Sequence, residues 1–205
     1  MSNYLRYPSL LILLCFSAFS YSQQLAFPYD ATKKNPFGLL NPEAPQQVKD
    51  FAPMIGECEC ISEVRNADRT WKKPAPMYWR FKYIMNGTAV QDETLKPDGI
   101  HSGSIRQYHV DSAKWYVHYY SAGSTATNPL PTWEGSKTTD GKIILYRDQK
   151  APNGMAGKYR LTFYDISEEG FKWVGEWVTL DETSFIYPTW KIECKKLKRK
   201  GKRKG

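Results

Sequence analysis

The segment from Met77 to Leu95 most constrains the fold, because it has the pattern of a β-hairpin in a defined register. Asn86-Gly87 divides it, and this dipeptide favours the tight turns that join antiparallel strands. The register pairs Arg80 with Glu93 on one face, and opposite charges in such a pair stabilise a hairpin. The other face is aromatic. Because both faces agree on the register, we predict antiparallel sheet here.

The aromatic face of this hairpin is predicted to point inward and to carry one carboxylate, Asp92. An inward carboxylate is either a candidate acid, base or ligand anchor, or one half of a structural ion pair, with Arg106 as an available partner. Both interpretations remain open from the sequence. The pairs on this face are Tyr83–Val90, Phe81–Asp92 and Trp79–Thr94.

A second hairpin is predicted from Ser104 to Tyr120, with its turn at residues 111–114. In this register His109 and His118 are diagonal neighbours on the outer face, roughly 7–8 Å apart. A metal site needs three or four ligands and no third is placed, so we predict none. The inner face holds Arg106, Tyr108, Val110, Trp115, Val117 and Tyr119.

Further strand-like segments over residues 142–147, 158–165, 171–179 and 184–195 follow at intervals of about ten residues with no helical run between them, which is typical of an antiparallel meander. Asn41-Pro42 is a helix-start signal and predicts a short helix over residues 42–51. Closure removes exposed sheet edges. The predicted fold class is therefore all-β: a closed or nearly closed antiparallel meander barrel of about 8–9 strands, with a short N-terminal helix.

This pattern resembles the lipocalin-like (calycin-like) β-barrel domains of exported bacterial proteins. The helix followed by Gly56-Glu57-Cys58 is similar to the start of such barrels, where Cys58 replaces the usual tryptophan that plugs one end. The resemblance extends over most of residues 50–195 and implies a barrel fold; members of this group bind small hydrophobic molecules, bind haem or have no known role, so the fold alone does not specify the function. The other supporting segments are Ile105–Tyr108, Lys114–Val117, Trp133–Gly135, Asp140–Ile143, Phe163–Ile166, Phe171–Trp173 and Trp190–Ile192.

The cysteines predict a disulfide between the first and last strands. Cys58 and Cys60 share one strand face, because alternate residues do. Barrel closure places Cys194 beside them, within bridging distance. Both Cys58 and Cys60 remain candidate partners of Cys194, and we favour Cys60 because Cys58 occupies the plug position that the resemblance implies.

The N-terminal residues are typical of a cleavable export signal. Arg6 precedes an apolar run over residues 10–16 that is too short to span a bilayer, and Ser20 and Ser22 suit cleavage before Gln23. The short run disfavours a retained transmembrane anchor, so we expect a secreted or periplasmic protein. The predicted organisation is signal peptide 1–22, extended lead-in and helix 23–50, barrel 51–195 and disordered basic tail 196–205.

The basic character of the chain belongs to the tail. The net charge is +8, yet eight of the 29 basic residues lie between Lys195 and Lys204, which leaves the barrel nearly neutral. Such a tail attracts anionic polysaccharide or lipid headgroups, or serves only for solubility. Export argues against a specific nucleic-acid partner.

No nucleophile, metalloprotease or phosphate-loop motif occurs, so the sequence favours a non-enzymatic function without a cofactor. The preferred hypothesis is an exported barrel that binds a small apolar or amphipathic ligand. The alternatives are an extracytoplasmic hydrolase or isomerase that uses the inward Asp92, and a surface-adhesion or scaffold module. The predicted ligand-binding residues are Trp79, Phe81, Tyr83, Asp92, Arg106, Tyr108, Trp115 and Tyr119.

Overall fold

A computed structural model describes residues 27–123 and 129–198 of the chain. Within these ranges there is one 3-10 helix, and no helix is long and apolar enough to cross a membrane. The predicted signal peptide and residues 199–205 of the tail lie outside the described ranges. The elements are the 3-10 helix Gln46–Met54 and the strands β1 Gly56–Val64, β2 Ala75–Ile84, β3 Ala89–Leu95, β4 Ser102–His109, β5 Lys114–Ser121, β6 Thr132–Lys137, β7 Ile143–Asp148, β8 Gly157–Ser167, β9 Gly170–Thr179 and β10 Ile186–Lys196.

The strands form a closed antiparallel barrel in meander order, which confirms the predicted fold class. Each strand pairs with the next along the chain, and β10 pairs with β1 to close the sheet. The described residues contain ten strands, against the 8–9 expected. The additional strand is β6, a short and mostly polar segment that follows two prolines, so its sequence carries little strand signal.

The first hairpin has the predicted register. Phe81 pairs with Asp92, and Arg80 pairs with Glu93 across the outer face at 3.8 Å. Gly87 takes a φ of +80° in the turn, a conformation that suits glycine. The N-terminal lead-in packs on this turn, where Asn41 N donates to Gly87 O at 3.1 Å.

The second hairpin is shifted by two residues from the prediction. His109 pairs with Lys114 and His118 pairs with Ile105, so the turn occupies residues 110–113 and Val110 is exposed. Ala113 adopts a φ of +51° in this turn. This conformation is uncommon for alanine, so the sequence did not indicate it. A shift of two preserves the faces, so the inner residues of β4 and β5 remain inner. The histidines are not diagonal neighbours.

The predicted short N-terminal helix is confirmed, but it is a 3-10 helix that begins four residues later than the expected start at residue 42. Asn41 Oδ1 accepts a hydrogen bond from Glu43 N at 2.9 Å and forms a turn, and the 3-10 helix begins at Gln46. This helix closes one end of the barrel. The Phe51 ring enters the core edge-on to Trp115, with 4.8 Å between ring centroids, and Asp50 Oδ2 accepts from Trp115 Nε1 at 3.1 Å.

The predicted disulfide between Cys60 and Cys194 is confirmed. The two residues are directly paired across β1 and β10, 134 residues apart in sequence. Cys58 is a free, buried thiol one inward position nearer the helix. The plug that the resemblance assigned to this position is supplied here by Phe51 and Met54 of the 3-10 helix, both fully buried.

Candidate functional site: an internal cavity

The two ends of the barrel differ in their connections. At the helix end the strands are joined by short turns, which leave little room around the plug formed by the 3-10 helix. At the opposite end the connections are longer, and we call this end the open end. The short connections are residues 85–88, 110–113, 138–142 and 168–169; the described residues of the connections at the open end are 65–74, 96–101, 122–123 with 129–131, 149–156 and 180–185.

A cavity of about 220 Å³ lies inside the barrel, on the side of the core away from the helix. An apolar cavity of roughly 150 Å³ holds benzene, so this one has room for a molecule of one or two rings. Its lining is divided between a polar side on β3 and β4 and a largely aromatic side on β6 and β8–β10. The lining residues are Trp79, Asp92, Thr94, Ser102, Gly103, Ser104, Arg106, Val117, Tyr119, Trp133, Tyr159, Leu161, Trp173, Trp190 and Ile192.

Asp92 and Arg106 form a buried ion pair on the polar side. Only 2% of the Asp92 side chain and 3% of the Arg106 side chain are exposed. Asp92 Oδ2 accepts from Arg106 Nη1, and Asp92 Oδ1 accepts from Trp79 Nε1 at 2.7 Å. The carboxylate therefore has a donor on each oxygen, which compensates part of the cost of burying its charge.

Arg106 also contacts the aromatic core beneath the cavity. Its guanidinium carbon lies 5.2 Å from the ring centroids of both Phe51 and Phe81. Burial lowers the pKa of the Arg106 guanidinium to about 9, which leaves it charged at neutral pH. Its Nε atom is buried and has no hydrogen-bond partner among the described residues. Arg106 thus contacts the part of the core that the 3-10 helix plugs and also lines the cavity.

Two hydroxyl groups continue the polar side toward the open end. Thr94 Oγ1 and Ser102 Oγ lie 2.5 Å apart, and Thr94 Oγ1 also donates to Ser102 O at 3.2 Å. Both residues are buried, and Ser104 lies one inward position deeper on β4. Hydroxyls both donate and accept, so this part of the wall suits uncharged polar groups.

Tryptophan and tyrosine rings form the opposite wall. Trp173 and Trp190 meet at 5.2 Å between centroids, and Trp133 lies 6.5 Å from Tyr159. The indole N–H of Trp190 donates to Ser62 Oγ at 2.8 Å, which fixes that ring. The Nε1 atom of Trp133 is buried and has no partner among the described residues. The wall offers flat faces against which a planar molecule can stack.

Exposed apolar side chains surround the open end. Four connections and the start of β10 each contribute at least one, and Phe185 is 51% exposed. Single exposed apolar residues need no explanation, but several around one opening suit the passage of an apolar molecule. They are Ile100, Leu130, Met155, Leu180, Phe185 and Ile186.

The predicted ligand-binding residues divide into two groups by depth. Trp79, Asp92, Arg106 and Tyr119 line the cavity. The other four, Phe81, Tyr83, Tyr108 and Trp115, are not among its lining residues and belong to the core or pack against it. Parity along a strand indicates which residues point inward, but it does not indicate where the helix fills the barrel.

Sequence reasoning missed most of the aromatic wall. Tyr159, Trp173 and Trp190 lie on strands that were predicted, and their inward parity was available from the alternation of β8–β10. Trp133 was hidden in the unrecognised strand β6. Their convergence with Asp92 on one cavity depends on barrel closure, which brings β9 and β10 opposite β3 and β4.

The histidines do not form a metal centre among the described residues. His118 Nδ1 lies 3.0 Å from Thr132 Oγ1, and His109 packs edge-on against Tyr116. No group of three or more His, Cys, Asp or Glu side chains within residues 27–123 and 129–198 is arranged to hold a metal ion.

No protein-family model and no curated protein matches the chain. The function must therefore be argued from the cavity and its walls.

Proposed function

We propose that this protein is an extracytoplasmic, lipocalin-like (calycin-like) barrel that binds a small apolar or amphipathic molecule without transforming it. The observation that carries the proposal is the cavity of about 220 Å³, which has a polar side and an aromatic side within one closed barrel. Binding pockets are commonly apolar enclosures with a few fixed polar groups, and the mouths of β-barrels are a frequent location.

The disulfide supports the extracytoplasmic part of the proposal. Disulfides persist in oxidising compartments and are rare in the cytosol. The Cys60–Cys194 bridge connects the two strands that close the barrel, so oxidation would stabilise the closed form. The export signal expected at residues 1–22 agrees with this compartment.

The contacts of Asp92 support binding over catalysis. A carboxylate that acts as a general base must take a full proton from its substrate. Asp92 has a hydrogen-bond donor on each oxygen, Trp79 Nε1 on one and Arg106 Nη1 on the other, and taking up a proton would leave the buried Arg106 charge without its counter-ion. The carboxylate is thus better suited to hold Arg106 and to orient a ligand.

Titration calorimetry of the oxidised, exported protein with 2-naphthol tests the proposal. We expect saturable binding of one molecule per chain and a negative heat-capacity change, because apolar surface is buried on binding. Native mass spectrometry of the freshly exported protein serves as a second readout, since a retained natural ligand adds a defined mass.

Variants that fill the cavity separate internal binding from surface binding. Ser104→Phe places a ring inside the cavity, and Leu161→Trp fills it from the opposite wall. Both should abolish 2-naphthol binding, while Gln107→Phe, on the exposed face of β4, leaves it unchanged. Thermal unfolding confirms that each variant is folded. Unaltered binding by both filled variants, or no binding by the parent protein, contradicts the proposal.

A further inference from the structure

We infer, on the premise that the cavity is the binding site of the proposed function, that its ligand is an uncharged, flat molecule with hydrogen-bonding groups along one edge. The inference comes from the distribution of groups between the two sides of the cavity. The polar lining side chains of β3 and β4 face a wall formed largely by rings from β6 and β8–β10.

The polar side chains are arranged in rows across β3 and β4. Thr94 pairs with Ser102 in the row nearest the open end, and Asp92 pairs with Ser104 in the next. Successive inward positions of a strand are separated by roughly 6–7 Å. A ligand edge with two polar groups can therefore meet both rows at once, whereas a single polar group meets only one.

Each row has hydrogen-bonding capacity left for a ligand. A carboxylate offers about four acceptor positions, and only one donor is recorded on each Asp92 oxygen. Thr94 and Ser102 hydrogen-bond to each other, yet their oxygens retain lone pairs for a further donor. Arg106 Nε, a hydrogen-bond donor, has no partner within the described residues. The rows thus favour a ligand that both donates and accepts, as hydroxyl groups do.

The charges around the cavity favour an uncharged ligand. Asp92 and Arg106 neutralise each other, so a charged ligand would be buried without a counter-ion, which is strongly unfavourable. Two further cations contact the wall: Arg147 lies 4.4 Å from the ring centroid of Trp133, and Lys96 lies 5.6 Å from that of Trp190. Neither lines the cavity, so an anion inside it gains no direct partner from them.

The opposite wall selects for shape. Apart from Leu161 and Ile192, the wall presents the rings of Trp133, Tyr159, Trp173 and Trp190, and their flat faces can stack on a planar molecule. The volume of about 220 Å³ limits such a molecule to one or two fused rings.

Three naphthalene derivatives of similar size test the ligand class in the oxidised parent protein. 2,7-Dihydroxynaphthalene carries two hydroxyls on one long edge, 2,7-dimethylnaphthalene has the same shape without them, and 2-naphthoate carries a negative charge. We expect the dihydroxy compound to bind about tenfold more tightly than the dimethyl compound, or better, because the latter leaves buried polar groups unpaired. The affinity for the dihydroxy compound should also exceed the affinity for 2-naphthoate by about tenfold or more.

A double variant and a matched control test whether the polar rows cause this preference. Thr94→Val with Ser102→Ala removes both hydroxyls of the outer row with little change in volume. This double variant should bind the dihydroxy compound roughly two- to tenfold more weakly than the parent protein does, and its affinity for the dimethyl compound should not fall. Ser136→Ala, an exposed hydroxyl on β6, is the matched control and should alter neither affinity.

The outcomes distinguish this inference from the proposed function. If the dimethyl compound or 2-naphthoate binds as well as the dihydroxy compound, the ligand class is wrong while the barrel remains a binding protein. If none of the three binds, the proposed function fails and the inference with it. A preference for the dihydroxy compound that the Thr94 and Ser102 double variant reduces supports both.

Discussion

Arg106 of β4 and Asp92 of β3 form an ion pair inside the barrel, between the aromatic core that the helix plugs and the cavity above it. Removing one partner of a buried pair leaves an uncompensated charge, which costs about 3–5 kcal/mol, whereas removing both costs much less. We therefore predict that Arg106→Met and Asp92→Asn each destabilise strongly. Asp92→Asn retains an acceptor for Trp79 Nε1.

A double-mutant cycle measured by urea unfolding checks this prediction. The double variant Asp92→Asn/Arg106→Met should be more stable than the sum of the single changes implies, by about 2 kcal/mol or more. The exposed pair Lys114–Glu134 provides the control, and Glu134→Gln there should cost less than about 1 kcal/mol. Strictly additive effects at Asp92 and Arg106 would show that the pair contributes no coupling.

The disulfide yields a second prediction, on stability. Cys60 and Cys194 enclose a segment of 134 residues in sequence, and the loop-entropy model assigns about 5 kcal/mol to a loop of this size. The double variant Cys60→Ala/Cys194→Ala should lose about 3–5 kcal/mol of unfolding free energy. Reduction of the parent protein should give a similar loss, and a loss below about 1 kcal/mol would contradict the prediction.

Two hairpins illustrate what the sequence could and could not predict. In the first, Asn86-Gly87 and the Arg80–Glu93 pair both specify the register, which proved correct. In the second, the turn has no glycine or asparagine, and Ala113 takes the left-handed conformation instead. The register was consequently two residues off, although the inner and outer faces were right.

The cavity was harder to predict than the barrel, because it depends on position along the barrel axis. Trp79 and Trp115 are both inward, buried tryptophans, yet Trp79 lines the cavity and Trp115 packs against Phe51 of the helix. Both occupy inward positions of their strands, so the alternation of the sequence does not distinguish their roles. Their different roles follow from where the 3-10 helix enters, and the sequence signal at Asn41-Pro42 misplaced that helix.

The basic tail yields a third prediction, on binding to polyanions. Five basic residues lie within residues 199–205, outside the described ranges. Lys196 and Leu197 belong to the fold: Lys196 Nζ donates to Pro53 O at 2.7 Å, and Leu197 N donates to Glu57 O at 2.8 Å. Truncation after Lys198 therefore removes tail charge while preserving these contacts.

Heparin chromatography of the truncated chain tests this prediction. Retention should fall to near the void volume, because the remaining barrel is almost neutral, and retention of the full chain should decline with salt. Circular dichroism and the melting temperature should not change. Equal retention of both forms would place the polyanion-binding surface on the barrel.

The last prediction concerns alkaline pH, where buried tyrosines should destabilise the fold. Burial raises the pKa of Tyr83 to about 12, and burial together with the hydrogen bond to Glu182 raises the pKa of Tyr146 to about 12. Below pH 10 both groups are protonated in the folded and unfolded chains and contribute nothing to pH dependence. Above pH 10 the unfolded chain loses these protons first, so stability declines as the pH rises toward 12.

For Tyr83 this shift corresponds to roughly 2–3 kcal/mol lost by pH 12, at 1.36 kcal/mol for each unit of pKa. Urea unfolding at pH 9, 10, 11 and 12 measures the decline directly. Tyr83→Phe removes the ionisable group from the inner face of β2 and should flatten the curve, whereas Tyr78→Phe, on the exposed face of the same strand, should not. If both variants follow the parent curve, burial of the Tyr83 hydroxyl does not contribute to the alkaline loss of stability.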